Sequence, residues 1–173
     1  IVAKAKYNDV GTGMSKLFGS RVGAGVKEFI FTASGSNGAM FSIGYGSHII
    51  DANSVPSDTN IHIFDLNKGV AYVDNSIARN FTEENFTCEY PVYLFGANYA
   101  GTANGLSQSR FYYVKIYDDN VLSKYLVPCR RERDSALGMC DTLSEDFFPN
   151  AGNGNDFTAG PEAGETVYIP QNQ

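Results

Sequence analysis

The sequence predicts an all-β fold, an antiparallel two-sheet sandwich of the jelly-roll kind, and three observations carry that prediction. Apolar and polar residues alternate with period two, and no segment keeps the apolar stripe of a helix. Roughly ten such runs follow one another at spacings of about 8–15 residues, which is typical of sandwiches and jelly rolls. Glycine, of which there are 18, and clusters of Asn, Asp and Ser separate the runs.

In the first half of the chain, alternation begins at the first residue. The predicted strands are Ile1–Tyr7, Lys27–Ala33, Ala39–Gly44, Gly46–Ile50, Asn60–Phe64 and Val70–Asp74. Gly11–Gly13 breaks the first run, and the sequence SGSNG predicts the turn before Ala39–Gly44. Asn67–Gly69 predicts a tight turn, so that the runs IHIFDL and VAYVD form a hairpin.

In the second half, Tyr90–Ala97 is mostly apolar and predicts a strand covered on both faces. Asn98–Ser109 reads as a loop. Arg110–Tyr117 and Val121–Val127 predict two strands joined by a turn at Asp118–Asn120. The segment after Pro128 has only short apolar pairs between Gly, Pro and Asn, so we expect it to be irregular.

Composition restricts the class of protein. With 173 residues and no composition break, we expect one domain over residues 1–173. The net charge is −6, and the basic residues cluster only at Arg130, Arg131 and Arg133, which argues against nucleic acid as a partner. No apolar run is long enough for a membrane span. The start at Ile1, within a strand, indicates an excised domain or part of a longer polypeptide.

The three cysteines, Cys88, Cys129 and Cys140, leave at least one thiol unpaired within the chain. Their spacing matches no metal site. Cys129 and Cys140 flank a short segment and would pair in an oxidising compartment. We expect instead three small buried thiols in a protein assembled under reducing conditions.

The carboxylates do not predict an enzyme. A glucanase-type hydrolase on a jelly roll needs a spaced set of acids on one strand face. Glu132 and Asp134 begin such a spacing, but Leu137 stands where the later acid is required. Neither His48 nor His62 neighbours a Cys or a G-x-S-x-G elbow, and we expect His62 to be an outward-facing strand residue.

No cofactor is predicted. Calcium binds 6–8 oxygens, and neither of two Asx-rich turns offers a complete ligand set. Those turns contain Asp118, Asp119 and Asn120, and Asn153, Asn155 and Asp156. Turn formation by the side chains accounts for both.

An exposed aromatic platform flanked by amides is the pattern of a glycan-binding site. Tyr99, with Asn98 and Asn104, matches it best, and Tyr45 with His48 is the second candidate. The chain has no Trp, the strongest stacking residue, and packing in the core or a loop is the alternative for each tyrosine.

The last third of the chain carries a more specific pattern. A strand of the type Y-x-x-K-I-Y-D leads into a second strand ending in P-C-R, and glycine-rich turns and a closing F-x-x-G-P follow. The residues that carry it are Tyr113, Lys115, Ile116, Tyr117, Asp118, Pro128, Cys129, Arg130, Gly138, Asp141, Phe147, Asn153, Gly154, Phe157, Gly160 and Pro161. This pattern resembles the laminin-G-like, concanavalin A-like jelly-roll domain of phage and prophage tail or minor structural proteins. Cys140 stands where that pattern has an aromatic residue.

The resemblance implies a non-enzymatic structural module of a virion, in the tail or fibre, that recognises host-surface glycans. Its partners would be other virion modules and glycans, with a homo-oligomer left open. The alternative is a carbohydrate-binding or adhesion module of a secreted bacterial surface protein, located outside the cell. A glucanase-type hydrolase is a third interpretation, and the missing acid argues against it.

Overall fold

The computed structural model describes residues 1–8, 14–34, 40–52, 58–151 and 156–160. Within these ranges the protein is all-β, with two sheets rich in antiparallel pairs, as a β-sandwich requires. Strands β1 to β8 are Val2–Tyr7, Met14–Arg21, Glu28–Ser34, Met40–Gly46, His48–Ala52, His62–Asn67, Val70–Val73 and Ser76–Asn80. Strands β9 to β15 are Tyr93–Leu94, Ala97–Tyr99, Thr102–Asn104, Ser109–Asp118, Val121–Arg130, Leu137–Asp141 and Phe147–Pro149.

The chain divides into two compact units, and β1 contributes to both. The first unit contains residues 1–4 and 111–173, and the second contains residues 5–110. The assignment of one domain over residues 1–173 stays a prediction.

In the second unit, strands of two sheets are present. One follows the order β11-β10-β2-β3-β4-β5, with β9 also paired to β2, and the other contains β1-β6-β7-β8. The sheets meet through Phe31 of β3 and Phe64 of β6, whose ring centroids lie 5.2 Å apart at 67°. Both side chains are fully buried, and burying one such ring is worth about 1.5–3 kcal/mol.

Two-residue turns set the register of the neighbouring hairpins. Lys68 and Gly69 join β6 to β7, and Asp119 and Asn120 join β12 to β13, all four with positive φ. Positive φ at both central residues produces the turn whose twist matches paired strands. The predicted turns at Asn67–Gly69 and Asp118–Asn120 are therefore confirmed.

The first unit is built on the antiparallel order β15-β14-β13-β12, beside the first residues of β1. Phe111 and Val114 of β12 are both buried although they lie on opposite faces, so the strand is covered on one face at Phe111 and on the other at Val114. Cys129 and Cys140 form a disulfide that joins β13 to β14, with 5.8 Å between their Cα atoms. The expectation of three reduced thiols is wrong for this pair, and Cys88 is the free cysteine.

Several predicted elements need correction. Tyr90–Ala97 holds only the two-residue β9 and the start of β10, and the predicted loop Asn98–Ser109 holds β11. The segment after Pro128, predicted to be irregular, contains the end of β13 and all of β14 and β15. Strands β2 and β8 were absent from the prediction. A register shift between Lys16 and Phe18 disrupts the alternation of β2, and β8 is a largely exposed edge strand.

Parts of several predictions lie outside the described residues: the break at Gly11–Gly13, most of the SGSNG turn with Ala39, and Asn153, Gly154, Asn155 and Pro161. Over the ranges that are described, the fold contains no helix of the length and apolarity needed to cross a bilayer.

Candidate functional site

Tyr99 lies at the end of β10, on a hairpin at the edge of its sheet. Tyr99 pairs with Thr102 of β11, and Ala100 and Gly101 form the turn, both with positive φ. On its other side β10 pairs in parallel with β2, placing Tyr99 opposite Arg21. The hairpin therefore presents Tyr99 at the edge and ties it to the centre of the sheet.

Asn98 shapes the hairpin from inside. Its side chain is 1% exposed, its Nδ2 donates to the Pro91 carbonyl at 3.0 Å, and its Oδ1 accepts from the Gly101 amide at 2.9 Å. Both ends of the amide are thus bonded to backbone groups. Asn98 therefore positions the Tyr99 turn, and its contact with a ligand stays a prediction.

Tyr99 is 39% exposed, and its ring lies over a cation. The Arg21 guanidinium carbon lies 4.6 Å from the ring centroid, within the range of a cation–π contact. Arg21 Nη1 in turn donates to Glu28 Oε1 at 3.3 Å, and the Gly25 amide donates to the same oxygen at 3.1 Å. We call Tyr99, Arg21 and Glu28 the Tyr99 row.

Glu28 is a buried carboxylate, 1% exposed. Burial raises its pKa, and the hydrogen bonds from Gly25 and Arg21 oppose that rise because they favour the ionised form. A Cβ on Gly44 would lie 2.2 Å from Glu28 Oε2, so this glycine leaves the space that the carboxylate occupies. The ion pair fixes Arg21 beneath the tyrosine ring.

Asn104, the third residue of the first predicted platform, ends β11. Lys16 Nζ donates a hydrogen bond to Asn104 Oδ1. Lys16 is 2% exposed, and burial together with the nearby Arg21 lowers its pKa. Asn104 is half-buried, and its carbonyl oxygen holds the lysine in place.

The tyrosine of the second predicted platform is buried. Tyr45 and His48 face each other across the β4–β5 turn, but Tyr45 is only 7% exposed. Its ring packs on Phe81 and Phe86 at centroid distances of 6.0 and 5.1 Å. This is core packing, and it leaves Tyr45 without an open face for stacking.

His48 is partly exposed and is paired with an acid. Its Nε2 lies 3.1 Å from Glu84 Oε1, and the same carboxylate accepts from the amide and hydroxyl of Ser47. The hydroxyl of Ser47 dominates the lowering of the Glu84 pKa. Glu84 thus attaches the segment that carries Phe81 and Phe86 to the β4–β5 turn.

His62 corrects a further expectation. Its side chain is 12% exposed, not outward-facing, and lies between two carboxylates. Nδ1 is 2.6 Å from Asp74 Oδ2, and Nε2 is 2.9 Å from Asp58 Oδ1. Burial of the ring lowers the pKa of His62, but the two carboxylates outweigh it, so the pKa is raised above 6.5.

Other charged side chains pair with residues close to them in the sequence. Arg131 Nε donates to Asp134 Oδ1 at 2.9 Å, and this bond leads the causes that lower the pKa of Asp134 to about 2. Arg131 and Asp134 therefore form a local ion pair. Among the described residues, no group of three or more His, Cys, Asp or Glu side chains is arranged to hold a metal ion. Asp119 and Asn120 serve as turn residues.

Sequence reasoning missed Arg21, Glu28 and Lys16. Arg21 and Glu28 carry opposite charges at the two ends of the connection between β2 and β3, a signal that two paired strands would bring them together. Lys16 gave no such signal, because its partner Asn104 is 88 positions away.

Comparison of the chain with protein-family models, with curated proteins and with solved structures finds no match.

Proposed function

We propose that this chain is a non-enzymatic, laminin-G-like jelly-roll module of a virion, of the phage tail or fibre type. In this proposal Tyr99 stacks against a sugar of a host-surface glycan. The observation that carries it is the exposed Tyr99 ring at a sheet edge, held on Arg21. Aromatic rings with one apolar surface and one polar tip are favoured at such recognition surfaces.

The support beneath the ring favours recognition. Arg21 is bonded to the buried Glu28, and Asn98 fixes the turn that follows Tyr99. A ring held in its bound position before the ligand arrives loses little conformational entropy on binding, which raises affinity. Arg21 and Glu28 therefore act as positioning residues for Tyr99.

A second candidate function is the carbohydrate-binding or adhesion module of a secreted bacterial surface protein. The Cys129–Cys140 disulfide favours it, because disulfides form and persist in oxidising compartments outside the cytoplasm. The two candidates share the same fold and ligand class. They differ in whether the module belongs to a virion protein or to a bacterial surface protein. Flanking tail modules would identify a virion, whereas a signal peptide with a cell-wall anchor would identify a surface protein.

A glycan array and a host-cell adsorption assay test recognition. We expect Tyr99→Ala to weaken glycan binding about tenfold or more, as the loss of one good aromatic contact does. Tyr117→Ala is the matched control, since Tyr117 is 44% exposed but lies at the end of β12. If the wild-type chain binds no glycan and no cell, recognition is wrong and an architectural role remains. If Tyr99→Ala binds as wild type does, the site is wrong.

The non-enzymatic part of the proposal has its own test. We expect no release of reducing ends when the chain is incubated with bound glycans. Release that disappears in Glu132→Gln would overturn this part and restore the hydrolase interpretation.

A further inference from the structure

Lys115 of β12 lies over two tyrosine rings in the first unit, whereas the Tyr99 row belongs to the second unit. Its Nζ is 5.3 Å from the ring centroid of Tyr113 and 4.9 Å from that of Tyr125. The two rings are perpendicular, with centroids 6.0 Å apart. Because Lys115 pairs with Tyr125 across β12 and β13, the three side chains share one face of the sheet.

The ammonium of Lys115 keeps its hydrogen-bonding capacity. Among the described residues, its contacts are these two rings, and it forms no ion pair or hydrogen bond. Lys124 of β13 differs: it lies 5.2 Å from the Phe148 centroid, but its Nζ also bonds Asp141 Oδ2 at 3.3 Å. The charge of Lys124 is neutralised by Asp141, whereas no carboxylate among the described residues neutralises the charge of Lys115.

From this arrangement we infer that Lys115, Tyr113 and Tyr125 bind a carboxylated sugar. The ammonium, with three donors, pairs with the carboxylate. The tyrosine rings offer an apolar surface to the sugar ring, and their hydroxyls bond sugar hydroxyls. A bare inorganic anion would make no use of the rings, and a neutral sugar would make no use of the charge.

The strand that carries Tyr125, β13, is joined to β14 by several bonds. Val127, two positions beyond Tyr125, pairs with Cys140, and the Cys129–Cys140 disulfide joins the same two strands. Thr142 also donates, from its amide at 2.8 Å and its hydroxyl at 3.2 Å, to the Tyr125 carbonyl. These bonds join the strand that carries Tyr125 to β14 and to Thr142, and they hold that strand in place, which favours a preformed site.

A pair of probes that differ only at the carboxylate tests the inference. The intact chain is titrated with methyl glucuronide and with methyl glucoside, and amide chemical shifts are followed by NMR. We expect the glucuronide to shift residues of β12 and β13 and to bind at least tenfold more tightly than the glucoside. We also expect added salt to weaken the binding, because the attraction is between charges.

Variants locate the binding. Lys115→Met is expected to lose at least tenfold in affinity, and Lys115→Arg to retain binding because it retains the charge. Lys4→Met is the matched control: it removes the same charge from a lysine that lies over one ring, Tyr112, at 5.8 Å. We expect it to bind as wild type does.

Three results would overturn the inference: equal affinity for the two probes, no shift with either, or equal loss in Lys115→Met and Lys4→Met. The site is independent of the proposed function at Tyr99. Tyr99→Ala should leave glucuronide binding unchanged, so a failure at one site does not decide the other.

Discussion

The Cys129–Cys140 disulfide closes a short loop, and its removal gives a prediction whose size follows from the structure. The sequence separation of 11 residues sets the chain entropy that the bond removes from the unfolded state. For a loop of that length the entropic relation gives about 2.8 kcal/mol at 25 °C. We therefore expect reduction to lower the free energy of unfolding by about 3 kcal/mol.

The assay is denaturant unfolding with and without a reducing agent, followed by circular dichroism and tyrosine fluorescence, since the chain has no tryptophan. The midpoint is expected to fall while the dependence on denaturant changes little. Cys129→Ser with Cys140→Ser should reproduce the reduced wild type and no longer respond to the reductant. Cys88→Ser is the control and should keep the full response, because Cys88 is unpaired.

Equal unfolding free energies for the oxidised and reduced wild type would refute this reasoning. So would a peptide map under non-reducing conditions in which Cys88 is bonded to either partner. A smaller loss, confined to the first unit, would show that β13 and β14 stay paired in the unfolded ensemble.

Three further predictions follow from the buried side chains. His62→Gln should destabilise the protein most at about pH 4–6.5. The pKa of His62 is raised in the fold, so the stability that this gives is lost as the pH rises through that pKa. The pKa values of its two carboxylate partners are lowered, so the stability that they give is lost as the pH falls through those values. The check is the difference in urea midpoint between wild type and variant. A larger difference at pH 8 than at pH 5.5 would contradict this prediction. Phe31→Ala should lower the free energy of unfolding by denaturant by about 3–5 kcal/mol. Val121→Ala, the control at a position 69% exposed, should lower it by less than about 0.5 kcal/mol. Similar losses of stability in the two variants would show that the ring contact between sheets is unimportant. Asp141→Asn should cost about 1–3 kcal/mol, because this buried carboxylate accepts from the amides of residues 125 and 143, and unchanged thermal unfolding would oppose that role.

The sequence predicted the all-β class because period-two alternation and turn residues are local signals. The hairpin of β6 and β7 and that of β12 and β13 were found for the same reason: their turns need positive φ, and Asn, Asp and Gly supply it. Strands β14 and β15 could not be found in this way. They are short, and they owe their form to their neighbours rather than to their own pattern: β14 pairs with β13, and β15 pairs with β14.

The site could be predicted only in part. The exposure of Tyr99 could be predicted, because an aromatic residue among amides is a recognisable surface pattern. Its support was missed, since Arg21 reaches β10 through a parallel pairing between distant segments. Tyr45 resembles Tyr99 in sequence, and only the packing of Phe81 and Phe86 against it distinguishes the two.

Strand β2 completes its pairing only after β9 and β10 have been synthesised. One edge meets β3 at once, but the other edge receives β9 and β10, which lie at residues 93–99. Until those residues have left the ribosome, that edge of β2 is unpaired, and Leu17 and Phe18 lie on the same strand. An unpaired apolar edge is a template for aggregation. Nascent or truncated chains that end before Tyr93 are therefore expected to require chaperones. In chains that extend past Asn104, β9 and β10 pair with that edge of β2, and β11 pairs with β10.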